Sequence, residues 1–304
     1  MISFSGARVG TFAAAAVGSL LLMNCNGKGT TQPDEAIGDP EVDVSAEIGS
    51  VIERHNARVQ RLRHFYANGT IMLRWMDADG SHSEQGNIEL WADLPDRLAI
   101  RIYKAAIGED FLKLGMNADR AWVLDLRPKP PDLLLIESMQ QALSGKEGLP
   151  ISMNPRAIVD MMGLATLPND LPGNAACLSE DASKWVVQTT ADSGRIRIEF
   201  DRKSGFPTAV RQIGPDGDVL LKSTVAPDKY ERIELDRESP MDYPRFPMRF
   251  WIDHETEAGG SISITFNEAT GRASDSRWTE KAFDLDRLIR QHEPQVRRIE
   301  DKGE

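Results

Sequence analysis

From Ser45 to Leu62 the apolar positions Ile48, Val51, Ile52, Val59 and Leu62 fall mostly three or four residues apart, with Glu53, Arg54, Arg58 and Arg61 between them. Residues so spaced share one face of a helix, so an amphipathic helix is predicted. Such a helix can lie on a membrane or a partner, but packing on the chain's own sheet is the commoner outcome. After it the period becomes two. Ile71, Leu73 and Trp75 oppose Met72, Arg74 and Met76, Asp77-Ala-Asp-Gly80 supplies turn chemistry, and a second run passes through Ile88, Leu90 and Trp91. This predicts a hairpin. Pro95-Asp96 breaks the chain before a third strand, in which Leu98, Ile100 and Ile102 alternate with Ala99, Arg101 and Tyr103. Phe111 to Leu114 and Ala121 to Leu124, separated by Asn117-Ala-Asp119, read as another pair. Consecutive short strands with no helices between them predict an antiparallel meander.

The middle of the chain interrupts this pattern. Arg127-Pro-Lys-Pro-Pro131 reads as a loop and Leu133 to Ile136 as a short strand. Asn154-Pro155 reads as a cap followed by proline at the first helical position, opening a helix through Ile158, Val159, Met161, Met162 and Leu164. Methionines there are ordinary core material, and they also suit a site that adapts to variable apolar ligands. Strands then return at Trp185 to Val187, Arg195 to Phe200, Pro207 to Ile213, Val219 to Val225, Tyr230 to Leu235, Phe246 to Ile252 and Ser261 to Phe266, for about a dozen in all. Ile196, Ile198 and Phe200 oppose Arg195, Arg197 and Glu199, while Phe246, Met248, Phe250 and Ile252 oppose Arg249, Trp251 and Asp253. One apolar and one polar face per strand is the condition for a curved sheet around an interior, and equally for a packed sandwich.

The N-terminal segment is of a different kind. Residues 1–24 carry one basic residue, Arg8, followed by the apolar and small-residue run Thr11 to Met23. This run is shorter than the roughly 20 apolar residues of a membrane span and a polar, Gly-rich stretch follows at once, so it reads as a cleaved secretory signal. Leu22-Met23-Asn24-Cys25 resembles the lipobox of bacterial lipoproteins, in which the first mature residue, here Cys25, receives a diacylglycerol. That family places Gly, Ala or Ser before the cysteine where this chain has Asn24. The alternatives are an ordinary secretory signal with an incidental cysteine, or an uncleaved anchor, and each still exports the domain. Residues 25–44 are rich in Gly, Pro and Asp and read as a flexible tether reaching roughly 25 Å. The β domain is expected over 45–290 and a charged tail over 291–304. With Cys25 lipidated only Cys177 remains, so no internal disulfide forms and Cys177 reads as a buried or loop thiol.

The formal charge is −11 over the chain, and −12 once residues 1–24 and their Arg8 are removed. An acidic surface repels phosphate backbones and anionic head groups, so no nucleic-acid partner is expected and the membrane is met through the N-terminal lipid. Chemistry is sparse. The five histidines, His55, His64, His82, His254 and His292, offer only His82-Ser-Glu84 and Asp253-His-Glu255 as loose groups, and consecutive strand residues point to opposite faces. No nucleophile elbow, phosphate-cradling glycine loop, dinucleotide fingerprint, CxxC or His-Glu-x-x-His occurs. No catalytic residue, metal or cofactor is therefore expected, although a hydrolase assembled from scattered residues leaves no trace in a single sequence. Of the six tryptophans most are expected in the core, and Trp75 and Trp91, on neighbouring strands, would line a cavity mouth if both faced inward.

The order of features resembles the superfamily of the periplasmic lipoprotein carrier LolA and the outer-membrane receptor LolB. The resemblance rests on the signal with its lipobox, the leading helix, Thr70 to Trp75, the turn Asp79-Gly80, Gly86 to Leu90, Leu94 to Ile100, Gly115 to Leu124 and Phe200 to Thr208, and covers most of residues 45 to 270 in layout. It implies a mainly β fold, a curved antiparallel sheet forming an incomplete barrel closed by helices, with an apolar cavity that holds lipid or lipoprotein acyl chains. The carrier's gating arginine and the receptor's exposed leucine are not assigned to any residue of this chain. The alternating positions Leu73, Trp75, Leu90, Ile100, Ile102, Met161, Met162, Ile198, Phe250 and Ile264 are the expected lining. The location implied is the cell envelope, with the domain in the periplasm and the outer membrane favoured over the inner. An envelope sensor or scaffold with a protein partner is the second reading, because the fold does not determine the task.

Overall fold

The three- and four-residue period after Ser45 forms helix α1 (Val44–Arg61), which buries Ile48, Val51, Ile52 and Val59. The period-two segment behind it becomes a hairpin of two long strands, β1 (His64–Asp77) and β2 (Gly80–Asp93). A meander continues through β3 (Arg97–Lys104), β4 (Glu109–Met116), β5 (Ala121–Asp125) and β6 (Asp132–Ile136). Helix α2 (Pro155–Met161) follows, then β7 (Ala176–Leu178), β8 (Lys184–Ala191), β9 (Gly194–Asp201), β10 (Pro207–Ile213) and β11 (Val219–Val225). The chain closes with β12 (Tyr230–Arg232), β13 (Glu234–Leu235), β14 (Arg245–Pro247), β15 (Arg249–His254), β16 (Gly260–Gly271), helix α3 (Leu285–His292) and β17 (Gln295–Ile299). This is a computed structural model, and it describes residues 44–77, 79–104, 106–136, 154–171, 175–191, 194–236, 238–255, 260–272 and 274–299. The signal, Cys25 and the expected tether up to residue 43 lie outside the described residues. Among the described residues no helix is long and apolar enough to cross a membrane.

Fifteen strands form one curved sheet in the order β17-β6-β5-β4-β3-β2-β1-β16-β15-β11-β10-β9-β8-β7, with β13 added beside β16, and the sheet does not close into a barrel. The incomplete barrel is thus present, with one difference from the antiparallel expectation: β17 pairs parallel with β6 and β13 parallel with β16. Residues 295–299, expected within a charged tail, extend the sheet as β17. Their side chains are mostly exposed, and what holds them is backbone pairing, the Arg297–Asp132 ion pair and the packing of Ile299 on the interior cluster. Two predicted strands are each divided. Tyr230 to Leu235 breaks at Ile233 and Phe246 to Ile252 at Met248, so that β12 and β14 pair apart from the main sheet while β13 and β15 join it. Met248 is the switch between the two sheets: its N–H donates to the Lys229 carbonyl and its carbonyl accepts from Phe266 of β16, each at 2.8 Å. The predicted second helix stops at Met161 rather than reaching Leu164, because Gly163 adopts φ +71 and seats against Pro207, where a Cβ would lie 2.9 Å from the ring.

Cross-strand pairing carries apolar rows along the concave face. Ala67, Leu90, Ile100, Leu114, Val123 and Leu134 are paired one to the next across six strands, and all are buried. A second row runs Val187, Ile198, Val210, Ser223, Ile252, Ile262, Leu73. Helices α1 and α2 lie in the same apolar cluster and cover these rows. Strands β5 and β6 are buried on both faces, which explains why Ala121 to Leu124 and Leu133 to Ile136 read as unbroken apolar runs. Their outward residues Trp122, Leu124, Leu133 and Leu135 are covered by Leu285 and Leu288 of α3. Trp122 also packs over Gly115, where a Cβ would sit 2.2 Å from the indole.

Candidate functional site

All ten predicted lining residues lie in the one interior cluster. Leu73, Leu90, Ile102, Met161, Met162, Ile198 and Phe250 are fully buried, Ile100 and Ile264 nearly so, and Trp75 is 9% exposed at one end of β1. Registers explain the convergence: Ile264 lies between Ile71 and Phe250, Ile100 between Leu90 and Leu114, and Ile102 between Ile88 and Leu112. Trp91 does not share the face of Trp75. Leu90 faces inward, so its neighbour must face outward, and Trp91 packs with Tyr66 and Phe283 while donating Nε1–H to the Arg277 carbonyl at 2.9 Å. Cys177 is half-buried on the edge strand β7, opposite Val186.

The interior is filled from the concave side by α2, all seven residues of which are buried. Asn154 caps it as predicted, accepting the Arg156 N–H at 2.9 Å. The segment after α2 is held to α1 by three side chains. Asn56 pairs with the Leu167 backbone at both ends, donating to the carbonyl at 2.7 Å and accepting from the N–H at 2.9 Å. His55 Nε2 meets the Ala165 carbonyl at 2.8 Å, which requires the proton on Nε2 and leaves Nδ1 to accept from Arg58 at 3.3 Å. Arg58 also donates to the Gly163 carbonyl at 2.9 Å. Burial, then the Arg58 charge, pushes the His55 imidazole down to about 3, against a smaller raising effect of the Ala165 carbonyl. Burial also lowers Arg58, and it raises the Tyr230 phenol, whose O–H donates to Pro207.

Where α1, α2 and the segment after α2 meet, there is a cavity of about 390 Å³. Val59, Leu94, Val159, Leu164 and Leu167 supply its apolar wall, and Arg63, Thr166, Thr190 and the buried Arg156 and Asp160 of α2 its polar part. Arg156 reaches across to the Pro95 carbonyl at 2.6 Å, fixing the helix to the β2–β3 connection. Of the ten predicted residues none lines this mouth directly; Met161 follows Asp160 inward from it.

The residues sequence reading missed are His55, Asn56 and Arg58. Arg58 belongs to the polar face by period, yet it is 8% exposed, because the Phe206 and Tyr230 rings and the carbonyls of Gly163 and Arg245 replace its water. The only local signal is that a helix otherwise apolar at i, i+3, i+4 carries three hydrogen-bonding groups beside that stripe. Among the described residues no group of His, Cys, Asp and Glu could hold a metal ion.

No family model matches the sequence, and no curated protein matches it. Solved structures do match. A LolA superfamily protein from Nitrosomonas europaea is 14% identical, with 78% of this chain and 99% of that chain covered and a TM-score of 0.47. A domain named for outer membrane lipoprotein sorting, from Vibrio parahaemolyticus, is 12% identical over 79% of this chain and 97% of that one, at a TM-score of 0.49. A DUF1329 family protein from Desulfovibrio piger is 10% identical over 81% and 98%, at 0.45.

Proposed function

We propose that this chain is a non-enzymatic protein of the bacterial envelope that holds an acyl chain, free or borne by a lipoprotein, in the apolar hollow of its open sheet. A lipid on Cys25 tethers it to the membrane, the outer in preference to the inner. The observation that supports the reading is the continuous apolar interior covered by a seven-residue helix, with a cavity of about 390 Å³ beside that helix. That volume is at the lower end for small-molecule sites, roughly 300–1,000 Å³.

Energetics decide how much of the hollow a ligand must use. Ten methylenes leaving water gain about 8 kcal/mol at roughly 0.8 each. Losing translational and side-chain freedom costs a comparable amount. A chain confined to the mouth therefore binds weakly, and a tightly held one runs on beneath α2, replacing the contacts of Met161 and Met162. Methionine suits this exchange, being flexible and polarizable.

The test is native mass spectrometry of the full-length chain purified from a bacterial host, with extraction and identification of bound lipid. Ala191→Trp, at the rim of the mouth and half-exposed, is placed to fill the cavity, and a melting curve checks that the fold is kept. Co-purified acyl lipid that is lost in this variant supports the proposal. A bare protein mass, with no uptake of added fatty acid or lipopeptide, refutes it.

A further inference from the structure

The acidic composition of the chain predicts a surface hostile to anions, but the fold gathers cations at one place. A second cavity, of about 370 Å³, lies between α1, the turn joining β9 to β10, and the segment entering β14. Five arginines line it: Arg54, Arg58, Arg61, Arg232 and Arg245. No aspartate or glutamate is among its described walls, in a chain of net charge −11.

Three of the five form one stripe of α1, spaced four and three residues apart, where like charges repel. Among the described residues Arg61 is ion-paired with Glu238, and Arg54 acts on the Glu47 carboxylate through its charge without a salt bridge to it. Arg58, Arg232 and Arg245 have carbonyl, imidazole, thioether or aromatic neighbours. Arg58 donates to Gly163, Arg245 and His55, Arg245 donates to the Tyr230 carbonyl at 3.2 Å, and Arg232 faces the Met241 sulfur at 3.7 Å. The guanidinium groups of Arg58 and Arg245 both stand 5.9 Å from the Phe206 ring, which is stacked on Tyr230. Arg58 is thus a buried, oriented cation in the wall, and Arg54 and Arg232 are exposed ones at the opening.

A concave site lined by one sign of charge focuses its field and concentrates the opposite ion. The planar guanidinium fork matches a phosphate or carboxylate with two parallel hydrogen bonds. A carboxylate has two oxygens and satisfies one or two forks, whereas a phosphate presents more oxygens and can be shared among several arginines. We propose that this pocket binds a phosphate-type oxyanion, as free phosphate or as the head group of an anionic phospholipid. Arg54, Arg58 and Arg232 are its principal ligands. The site is distinct from the apolar mouth, and the inference does not depend on the acyl-chain reading.

Calorimetric titration of the full-length chain with inorganic phosphate, and separately with dihexanoyl phosphatidate, tests it. The double variant Arg54→Gln/Arg232→Gln alters two exposed side chains, and Arg290→Gln on α3 is the control. Phosphate binding weakened at least tenfold in the double variant, unchanged in the control and reduced by added salt is the expected result. Phosphatidate binding at least tenfold tighter than phosphate identifies the lipid head group, and equal affinities identify free phosphate. If the double variant melts early, the two single variants replace it. Absence of binding by either probe, or variants that bind as the wild type does, overturns the proposal. Because inorganic phosphate has no acyl chain, that failure would leave the apolar-cavity reading untouched.

Discussion

Lowering the pH from 7.5 to 5.0 is expected to cost the fold about 2 kcal/mol through one side chain, His55. In the unfolded chain its imidazole titrates near the ordinary 6.5, whereas in the fold it stays neutral down to about 3. Between those values the unfolded state binds the extra proton, so stability is complete above 6.5 and falls as the pH drops toward 3. The slope approaches about 1.4 kcal/mol per pH unit, and integrating from 7.5 to 5.0 gives the figure of about 2 kcal/mol. The structural reason is specific: a second proton must go on Nδ1, which accepts from the Arg58 guanidinium in a buried site. The carboxylates held low by their partners, Glu47 and Glu268 by arginines and Asp181 and Asp275 at about 2, keep their contribution above their unfolded values and lose it only below about pH 4.5. His292, lowered by burial and then by Lys113, likewise contributes stability that begins to fall as the pH drops through about 6.5. The assay is therefore a comparison: urea unfolding at pH 7.5 and 5.0 for the wild type and for His55→Gln, whose amide can still donate to Ala165. The variant should lack most of the pH dependence. Equal losses in the two proteins would refute the assignment.

Asn56→Ala strips both partners from a buried Leu167 peptide unit and should cost about 2–4 kcal/mol, with hydrogen exchange at the Leu167 amide accelerated ahead of the sheet. Ser223 is fully buried in the middle of an apolar row and its Oγ has no hydrogen-bond partner among the described residues, so Ser223→Ala should raise stability by about 1 kcal/mol in urea titrations. Leu288→Ala removes an anchor of α3 from Trp122 and its neighbours and should cost about 2–4 kcal/mol, with a red-shifted indole emission.

The period-two pattern made the facing of nearly every long strand legible, because alternation reports a property of each strand alone. It placed Ile198 and Phe250 on the interior without reference to any partner. It could not separate Trp91 from Trp75 until the inward residue of β2 was known to be Leu90. Nor could it show that β5 and β6 are buried on both faces, since the cover comes from α3, more than 140 residues further along the chain. Strand β17 was illegible for a related reason: four of its five side chains are exposed, and backbone pairing, one ion pair with Asp132 and the packing of Ile299 hold it. The polar part of the site was the least legible. His55, Asn56 and Arg58 find their partners among backbone carbonyls 105 to 187 residues away, and any residue type can supply a carbonyl.

The division of labour between polar and apolar contacts bears on how the hollow could open. The bonds from α1 to residues 163–167 are directional and buried, so breaking any one leaves a peptide group unpaired at a cost of about 1–3 kcal/mol. The contacts of α2 with the sheet are apolar and non-directional, and an acyl chain can replace them without leaving any polar group stranded, except at Arg156 and Asp160. On the proposed reading, then, the segment bonded to α1 stays in place while α2 shifts away from the interior, pivoting at Gly163 where the backbone already takes a left-handed turn. Any such shift reduces the apparent affinity by the fraction of molecules in the open form. Loosening α2 with Arg156→Ala, which releases the Pro95 carbonyl, should therefore tighten acyl-chain binding, whereas Asn56→Ala, which frees the segment beyond the pivot, should lower stability without that gain. Binding that weakens in both variants would show that α2 is part of the site's wall and not its cover.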